Sequence, residues 1–359
     1  MKSNTLEQLV NKLTNIRMEQ SFPMITPKQA KEKYPLTEKA GETVLKSRKI
    51  IQNILDKKDS RLIVITGPCS IHNYDSAIRF AKKIKTLSEQ VKDKIYLVMR
   101  TYLEKPRTGF GWEGLILDPK LDGSEDINKG YETARKLLLE IAKLGIPTAT
   151  EIVDMRYTPQ YIDDLITWIA VGARTVESQD HRKAASGLSM PVGFKNNTSG
   201  ETKTAVDAVA KSRAKYKFPG VDENLKGAIF PTQGNPYTHI VLRGGNKHPN
   251  YHDEGIKEAE SLLEQANLPK VIIVDCNHGN SRKNYAKQPM IFKRVLQQRI
   301  EGNTNIIGIM LETNHKKGKQ SFEYTKQDPK NLDPDLSITD ACIDFETQEQ
   351  LIKEAYKKL

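Results

Sequence analysis

The sequence predicts a (β/α)8 barrel with an N-terminal extension and a β-hairpin insertion. Eight short apolar runs recur along 359 residues, helix-length amphipathic stretches separate them, and no run leads directly into a G-x-G-x-x-G helix start. Runs that are β-branched and apolar without alternation are what parallel strands buried on both faces require. Such strands alternating with helices suggest a closed barrel. The missing glycine fingerprint removes the usual support for an open dinucleotide-binding sheet.

In order, the runs are RLIVIT (61–66), IYLVMR (95–100), PTATEIV (147–153), WIAVGA (168–173), PVGFKN (191–196), HIVLRG (239–244), VIIVDCNH (271–278) and IIGIML (306–311). YDSAIRFAKKIKTLSEQV (74–91) and DEGIKEAESLLEQANL (253–268) carry helical periodicity after the first and sixth runs. Glycine or proline often closes such a helix, as at Gly145-Ile146-Pro147. Two segments exceed a bare barrel. Residues 1–45 precede the catalytic unit (46–359), and their middle, EQSFPMITPKQAKEKYPL, reads as extended or irregular chain limited by prolines. Between the fifth and sixth runs, 215–236 holds two apolar pieces around DENLKG, the pattern of a hairpin.

Composition narrows the class. The chain is 37% apolar and 28% charged, with no stretch of about 18 apolar residues, so a membrane-spanning role is not expected. The start, MKSNTLEQLVNKLTN, lacks the apolar core of a signal peptide. Three cysteines, an odd number, argue against a disulfide framework and for a reducing cytoplasm. The net charge is +11, but its lysines are scattered and the densest cluster is NHKKGKQ (314–320), so nucleic acid is not the expected partner. Steering of anionic small substrates fits that charge better.

In a barrel, the C-terminal ends of the strands converge on one face. The runs deliver Cys69 and His72; Arg100, then Glu104, Lys105 and Arg107; Glu151; Arg174; Lys195 and Asn196; Arg243; Asp275 and His278; and Glu312. Six cations, Arg100, Lys105, Arg107, Arg174, Lys195 and Arg243, would repel one another at one mouth unless anions joined them. Guanidinium forks suit phosphate and carboxylate, so strongly anionic, phosphorylated substrates are expected.

Cys69, His278 and Glu312, with acids in SITDAC (337–342), form a second set. Mixed sulfur, nitrogen and oxygen donors suit Mn, Fe, Co or Zn better than Mg or Ca. Other uses stay open on spacing alone. Ser337 and Asp340 resemble a helix start with its cap, Cys69 fits as a small buried filler, His278 as a core histidine, and Cys69 with His72 as a nucleophile and base.

GPCSIH, EKPRT, GARTVESQDHR, PVGFKN, HIVLRGG, VDCNHGNS and SITDACI, in this order, closely resemble the aromatic-amino-acid-regulated class I 3-deoxy-D-arabino-heptulosonate 7-phosphate (DAHP) synthases, from about residue 27 to the end. The resemblance implies a barrel that condenses phosphoenolpyruvate with D-erythrose 4-phosphate, releasing phosphate, at the entry to the shikimate pathway. It implies a divalent metal (Mn2+, Fe2+, Co2+ or Zn2+) held by Cys69, His278, Glu312 and Asp340. It implies phosphoenolpyruvate contacts from Arg100, Lys105, Arg174, Lys195 and Arg243, of which Lys105, Arg100 and Arg174 are the catalytic candidates. Arg107 and Thr108 would clamp the phosphate of the second substrate. Lys105, among arginines, is expected to have a lowered pKa and to protonate the new alkoxide.

Regulation is also implied. The extension and the hairpin form the feedback site of the family, with matching positions Pro159, Gln160, Ser189, Phe218 and Gly220; a glycine at 220 favours tyrosine as effector. A homodimer or homotetramer is expected. The chain departs from the common pattern at Gly109, Glu113, Asn197 and Asn277, none of them an expected ligand. A related synthase acting on arabinose 5-phosphate is disfavoured by KPRT. Cys342, two residues beyond Asp340, is a candidate to pair with Cys69 on oxidation, expelling the metal.

Overall fold

A computed structural model describes residues 2–359, with side chains from Leu6 onward. Three helices open the chain: α1 (Lys2–Leu13), α2 (Pro27–Lys33) and α3 (Glu38–Leu55). Then follow β1 (Leu62–Gly67), α4 (Tyr74–Val91), β2 (Ile95–Arg100), α5 (Ile127–Lys143), β3 (Thr148–Glu151), α6 (Thr158–Ile162), β4 (Trp168–Val171), α7 (Gln179–Ala185), β5 (Val192–Lys195) and α8 (Thr202–Ser212). The hairpin strands β6 (Lys217–Val221) and β7 (Gly227–Pro231) come next, then β8 (Thr238–Leu242), α9 (Asp253–Gln265), β9 (Ile272–Asp275), α10 (His278–Ser281), α11 (Gln288–Ile300), β10 (Ile306–Asn314), β11 (Ile343–Asp344) and α12 (Phe345–Lys358).

Eight parallel strands pair in the order β1-β2-β3-β4-β5-β8-β9-β10, and β10 pairs back onto β1. This is the (β/α)8 barrel expected from the eight runs. Alternation along each strand divides two apolar layers. Ile63, Ile65, Val98, Trp168, Val241, Ile273 and Met310 fill the barrel interior. Leu62, Val64, Leu97, Ile169 and Ile240 face the helices. Ile51, Ile54 and Leu55 of α3 join the interior cluster, so α3 closes one end of the barrel. Trp168 donates its Nε1–H to Nε2 of His239 at 3.1 Å, and burial pulls His239 down to about 4, which keeps that ring a neutral acceptor.

The hairpin lies where the sequence places it. Its turn is built by Asp222, whose carboxylate accepts from the N–H groups of Asn224 and Lys226. The extension differs from its sequence reading. Its middle contains a helix, α2, capped by Thr26 and Gln29 in a reciprocal box with Pro27 in the first turn. One of the prolines that suggested irregular chain, Pro27, starts a helix instead, while Pro23 and Pro35 flank it in irregular chain. α3 runs unbroken through residue 45. Lys28 N–H donates to Glu223 O, tying α2 to the hairpin turn. Ser337 caps no helix: its hydroxyl donates to Asp340 O, closing a tight turn that presents Asp340. Residues 109–114 do have G-x-G-x-x-G spacing, but they lie in the irregular β2–α5 connection.

Gly193 of β5 faces the interior, where a Cβ would lie 2.4 Å from Trp168 Cζ2 and 2.7 Å from Val241 Cγ2. Gly193→Ala is therefore expected to destabilise the fold by about 1–3 kcal/mol through overpacking. Urea unfolding measures this, and an unchanged midpoint would contradict the packing described.

Candidate active site

The strand ends build the site from its floor upward. β1 stops at Gly67, whose φ of +146° and approach of 3.0 Å from a built Cβ to Arg100 O exclude larger residues. The turn that follows places the Cys69 thiol inside the mouth, fully buried. β2 ends in Arg100, with no exposed surface, paired with Glu312 of β10 at 2.9 Å. The same guanidinium donates to Pro68 O at 3.3 Å and to Met310 Sδ at 3.0 Å. β5 ends in Lys195, which lies 3.3 Å from Glu151 of β3 and 3.6 Å from Asp275 of β9. Arg243, directly after β8, is buried as well.

Above this floor lies a cavity of about 370 Å³ lined by Lys105, Arg107, Thr108, Arg174, Lys195 and Arg243, with His278 and Asp340 on one side. The cations grade outward. Arg100, Lys195 and Arg243 are buried, Lys105 is half-buried, and Arg107, Thr108 and Arg174 are exposed at the rim. Arg174 Nε donates to Thr108 Oγ1 at 3.1 Å, joining two loops there.

Cys69, Glu312 and Asp340 offer donor atoms that all lie within 4.8 Å of one another. His278 stands beside them. Its Nδ1 is 2.9 Å from Asp275 Oδ2 and its Nε2 is 3.6 Å from Glu312 Oε1. Asp275 thus stands behind one ring nitrogen at ion-pair distance, without a well-aligned hydrogen bond, while the other nitrogen lies on the Glu312 side. Thiol, imidazole and two carboxylates make a donor set suited to a borderline divalent ion. His72 forms no hydrogen bond with Cys69, and its Nε2 has no partner among the described residues. The nucleophile–base pairing of Cys69 with His72 is therefore not formed. Cys342 is a free, buried thiol that donates to Asp340 O at 3.5 Å.

Charge explains the titration of the site. Burial pulls Lys105 down, but Cys69, Glu312, Glu151 and Asp340 together hold it above the ordinary lysine range. The sequence reading expected the opposite; it counted neighbouring arginines and not the acids that separate them. Burial pushes Asp275 up, yet His278, Lys195 and Arg100 outweigh it and hold the carboxylate well below its usual range. Burial pushes the Cys69 thiol up.

Comparison with known proteins now bears on this geometry. A family profile described as "DAHP synthetase I family" matches residues 33–353. The chain belongs to that family. It is 45% identical over 347 residues to the Tyr-sensitive phospho-2-dehydro-3-deoxyheptonate aldolase of Salmonella typhimurium, covering 97% of this chain and 96% of the relative. It is 44% identical over 345 residues to the Trp-sensitive enzyme of Escherichia coli, covering 96% and 97%. A solved phospho-2-dehydro-3-deoxyheptonate aldolase from Francisella tularensis superposes with a TM-score of 0.91 at 40% identity, over 95% of this chain and 98% of that one. The chain is thus an enzyme of the DAHP synthase family.

Sequence reasoning missed several residues that hold this site. Gln288 brackets the main chain of Glu312, donating to its O at 3.0 Å and accepting from its N–H at 2.9 Å. Asn277, one of the departures from the family pattern, donates to Glu312 Oε2 at 2.5 Å, leaving the other oxygen for Arg100. Asn197, another departure, accepts from Ser199, Gly200 and Glu201 and so closes its own loop. Glu113 contributes its main chain, accepting from Lys105 N–H at 2.8 Å. Glu151 and Asp275 appeared as strand-end residues without a role, and they are the counter-charges of Lys195.

Glu104 is a further perturbed group near the mouth. It accepts from Val153 N–H and Thr158 Oγ1, both at 3.0 Å, and burial raises it to about 7. Unfolded, the carboxyl titrates near 4.5. The folded state thus binds the extra proton between these values, and stability falls as pH rises through that window. The wild type should lose about 3 kcal/mol between pH 4.5 and 7 relative to Glu104→Gln. Urea unfolding of both proteins across this range checks it, and a pH-independent difference would sink the assignment.

Proposed function

We propose that the enzyme joins phosphoenolpyruvate to D-erythrose 4-phosphate, giving DAHP and phosphate, with a divalent metal ion and under feedback by an aromatic amino acid, tyrosine favoured. One observation carries the reading: a cavity lined by Lys105, Arg174, Lys195 and Arg243 also has His278 and Asp340 on its wall, and Asp340 clusters with Cys69 and Glu312 just beneath. The graded burial supports the order of the substrates. Arg100, Lys195 and Arg243 lie deep, and with Lys105 and Arg174 they match the carboxylate and phosphate of phosphoenolpyruvate. Arg107 and Thr108, at the rim, match the remote phosphate of the second substrate.

The enol carbon C3 attacks the aldehyde carbon, the new C–C bond forms, and the aldehyde oxygen becomes an alkoxide. Lys105 is protonated at neutral pH, and its ammonium donates a proton there. Water then adds at C2 and loses a proton, which returns the lysine to its charged form. Cleavage of the C2–O bond releases phosphate into the ring of guanidinium and ammonium groups. Cys69, His278, Glu312 and Asp340 would hold the metal, which supplies Lewis acidity toward the aldehyde oxygen.

Regulation has its own cavity. Pro159, Gln160, Ser189, Phe218 and Gly220 line a space of about 150 Å³ between α6 and the hairpin. The Phe218 and Phe230 rings, cross-strand partners on the hairpin, stack with centroids 5.7 Å apart and form one wall of it. Apolar and aromatic walls with Arg156 and Asp163 at the edge suit a zwitterion with an aromatic side chain. Glu104 adjoins Lys105 and bonds to Thr158, the residue before Pro159, which supports coupling of this cavity to the mouth. Leu6, Leu9, Val10, Leu13, Ile16, Met18 and Phe22 are exposed along the extension, which supports burial against a second copy in a dimer or tetramer. Among the described residues, no helix is long and apolar enough to cross a membrane.

Loss of phosphoenolpyruvate, followed with and without erythrose 4-phosphate, tests the reaction. A chelator should abolish the activity and Mn2+ should restore it in the wild type but not in Cys69→Ala; activity that survives exhaustive chelation would refute the metal role. In the same assay, tyrosine should inhibit at lower concentration than phenylalanine or tryptophan. Inhibition by phenylalanine alone would overturn the preference for tyrosine.

A further inference from the structure

We propose that Tyr102 is a positioning residue whose ring face holds three cations of the phosphoenolpyruvate site in their binding geometry. This rests on the reading that Arg100, Lys105 and Lys195 receive that substrate. Tyr102 lies two residues beyond the end of β2, on the same side as Arg100. Its side chain is 1% exposed. Arg100 Cζ sits 3.8 Å from the ring centroid, Lys195 Nζ 5.4 Å and Lys105 Nζ 5.7 Å.

Like charges converging on one ring need counter-charge. Arg100 has Glu312, and Lys195 has Glu151 and Asp275. Lys105 has no carboxylate within 4.0 Å among the described residues; it donates to the carbonyl and sulfur of Cys69 at 3.1 and 3.2 Å. The negative face of a desolvated aromatic ring attracts cations without neutralising them. That property suits a site whose cations must stay free for an incoming anion. A carboxylate in the same place would compete with the substrate.

The hydroxyl has no such part. Tyr102 OH is buried without a hydrogen-bond partner among the described residues, so the ring is the group that acts. The main chain is held separately, since Tyr102 O accepts from Ile71 N–H at 3.0 Å and braces the turn that carries Cys69. Side-chain substitutions at 102 therefore leave that brace in place.

The test separates ring electrostatics from volume. Tyr102→Phe keeps the face and should hold KM for phosphoenolpyruvate within about twofold of wild type. Fluorinated phenylalanines introduced at 102 keep the shape while withdrawing charge from the face. Along that series KM for phosphoenolpyruvate and Kd for inorganic phosphate should climb together, by at least about tenfold at the pentafluoro ring. KM for erythrose 4-phosphate should hold steady. Flat KM and Kd across the series would overturn the proposal, as would a Tyr102→Phe enzyme as impaired as Tyr102→Leu. A wild type that binds phosphate but consumes no phosphoenolpyruvate would defeat the functional reading instead, and the phosphate series would still decide the role of the ring.

Discussion

The ion pair between Arg100 and Glu312 is the constraint on which the site depends. Both side chains are fully buried, and two such charges are costly to take out of water unless every remaining valence is met. Here they are met. Arg100 also reaches Pro68 O, Met310 Sδ and the Tyr102 ring, while Glu312 receives Asn277. These contacts bind the β1 turn, the end of β2 and the middle of β10 into one floor. The turn carries Cys69 and β10 carries Glu312, so the cationic groups and the candidate metal ligands share a single base.

From that floor the remaining charges fall into place. Asp275 stands between Lys195 and His278, and Glu312 between Arg100 and His278. Each acid thus serves a cation on one side and a candidate ligand on the other. This explains why so many basic groups coexist before a substrate enters: they are separated by acids and an aromatic face rather than stacked against each other. It also explains why Lys105 stays protonated. Its surroundings are anionic in sum, although the strand-end residues that share the mouth with it include five other cations.

Much of this was legible in the sequence, because parallel strands buried on both faces leave long apolar runs and a barrel delivers their C-terminal residues to one place. Cys69, Lys195, Arg243 and Glu312 could each be read from the end of a run. The supports could not. Gln288 lies 24 positions from Glu312 and meets it only because α11 packs back across β10. Asn277 looked like a loop variation, and its contact depends on which rotamer of Glu312 the floor permits. Lys105 was read with the wrong sign because the reading counted the cations that converge on the mouth and left out Glu312, Glu151 and Asp340, whose Coulomb attraction acts on it from elsewhere in the chain. At α2, the capping box of Thr26 and Gln29 was present in the sequence, but the prolines on either side suggested extended chain.

The same distinction separates the two cavities. The mouth is assembled from strand ends, which the barrel fixes to within a rotamer. The second cavity is assembled from a short helix, a two-stranded hairpin and a loop, and the hairpin itself is tied to the extension through Lys28 and Glu223. Its shape is set by elements with little backbone pairing to the barrel, so it can change while the mouth's scaffold does not. Glu104 is where the two meet. Its carboxyl holds Val153 and Thr158 on one side, and its main chain continues directly into Lys105 on the other. A displacement of α6 large enough to break the Thr158 bond would leave one oxygen of a buried carboxyl unsatisfied. The lower-cost response is for Glu104 to follow α6, and Lys105 must then move with it.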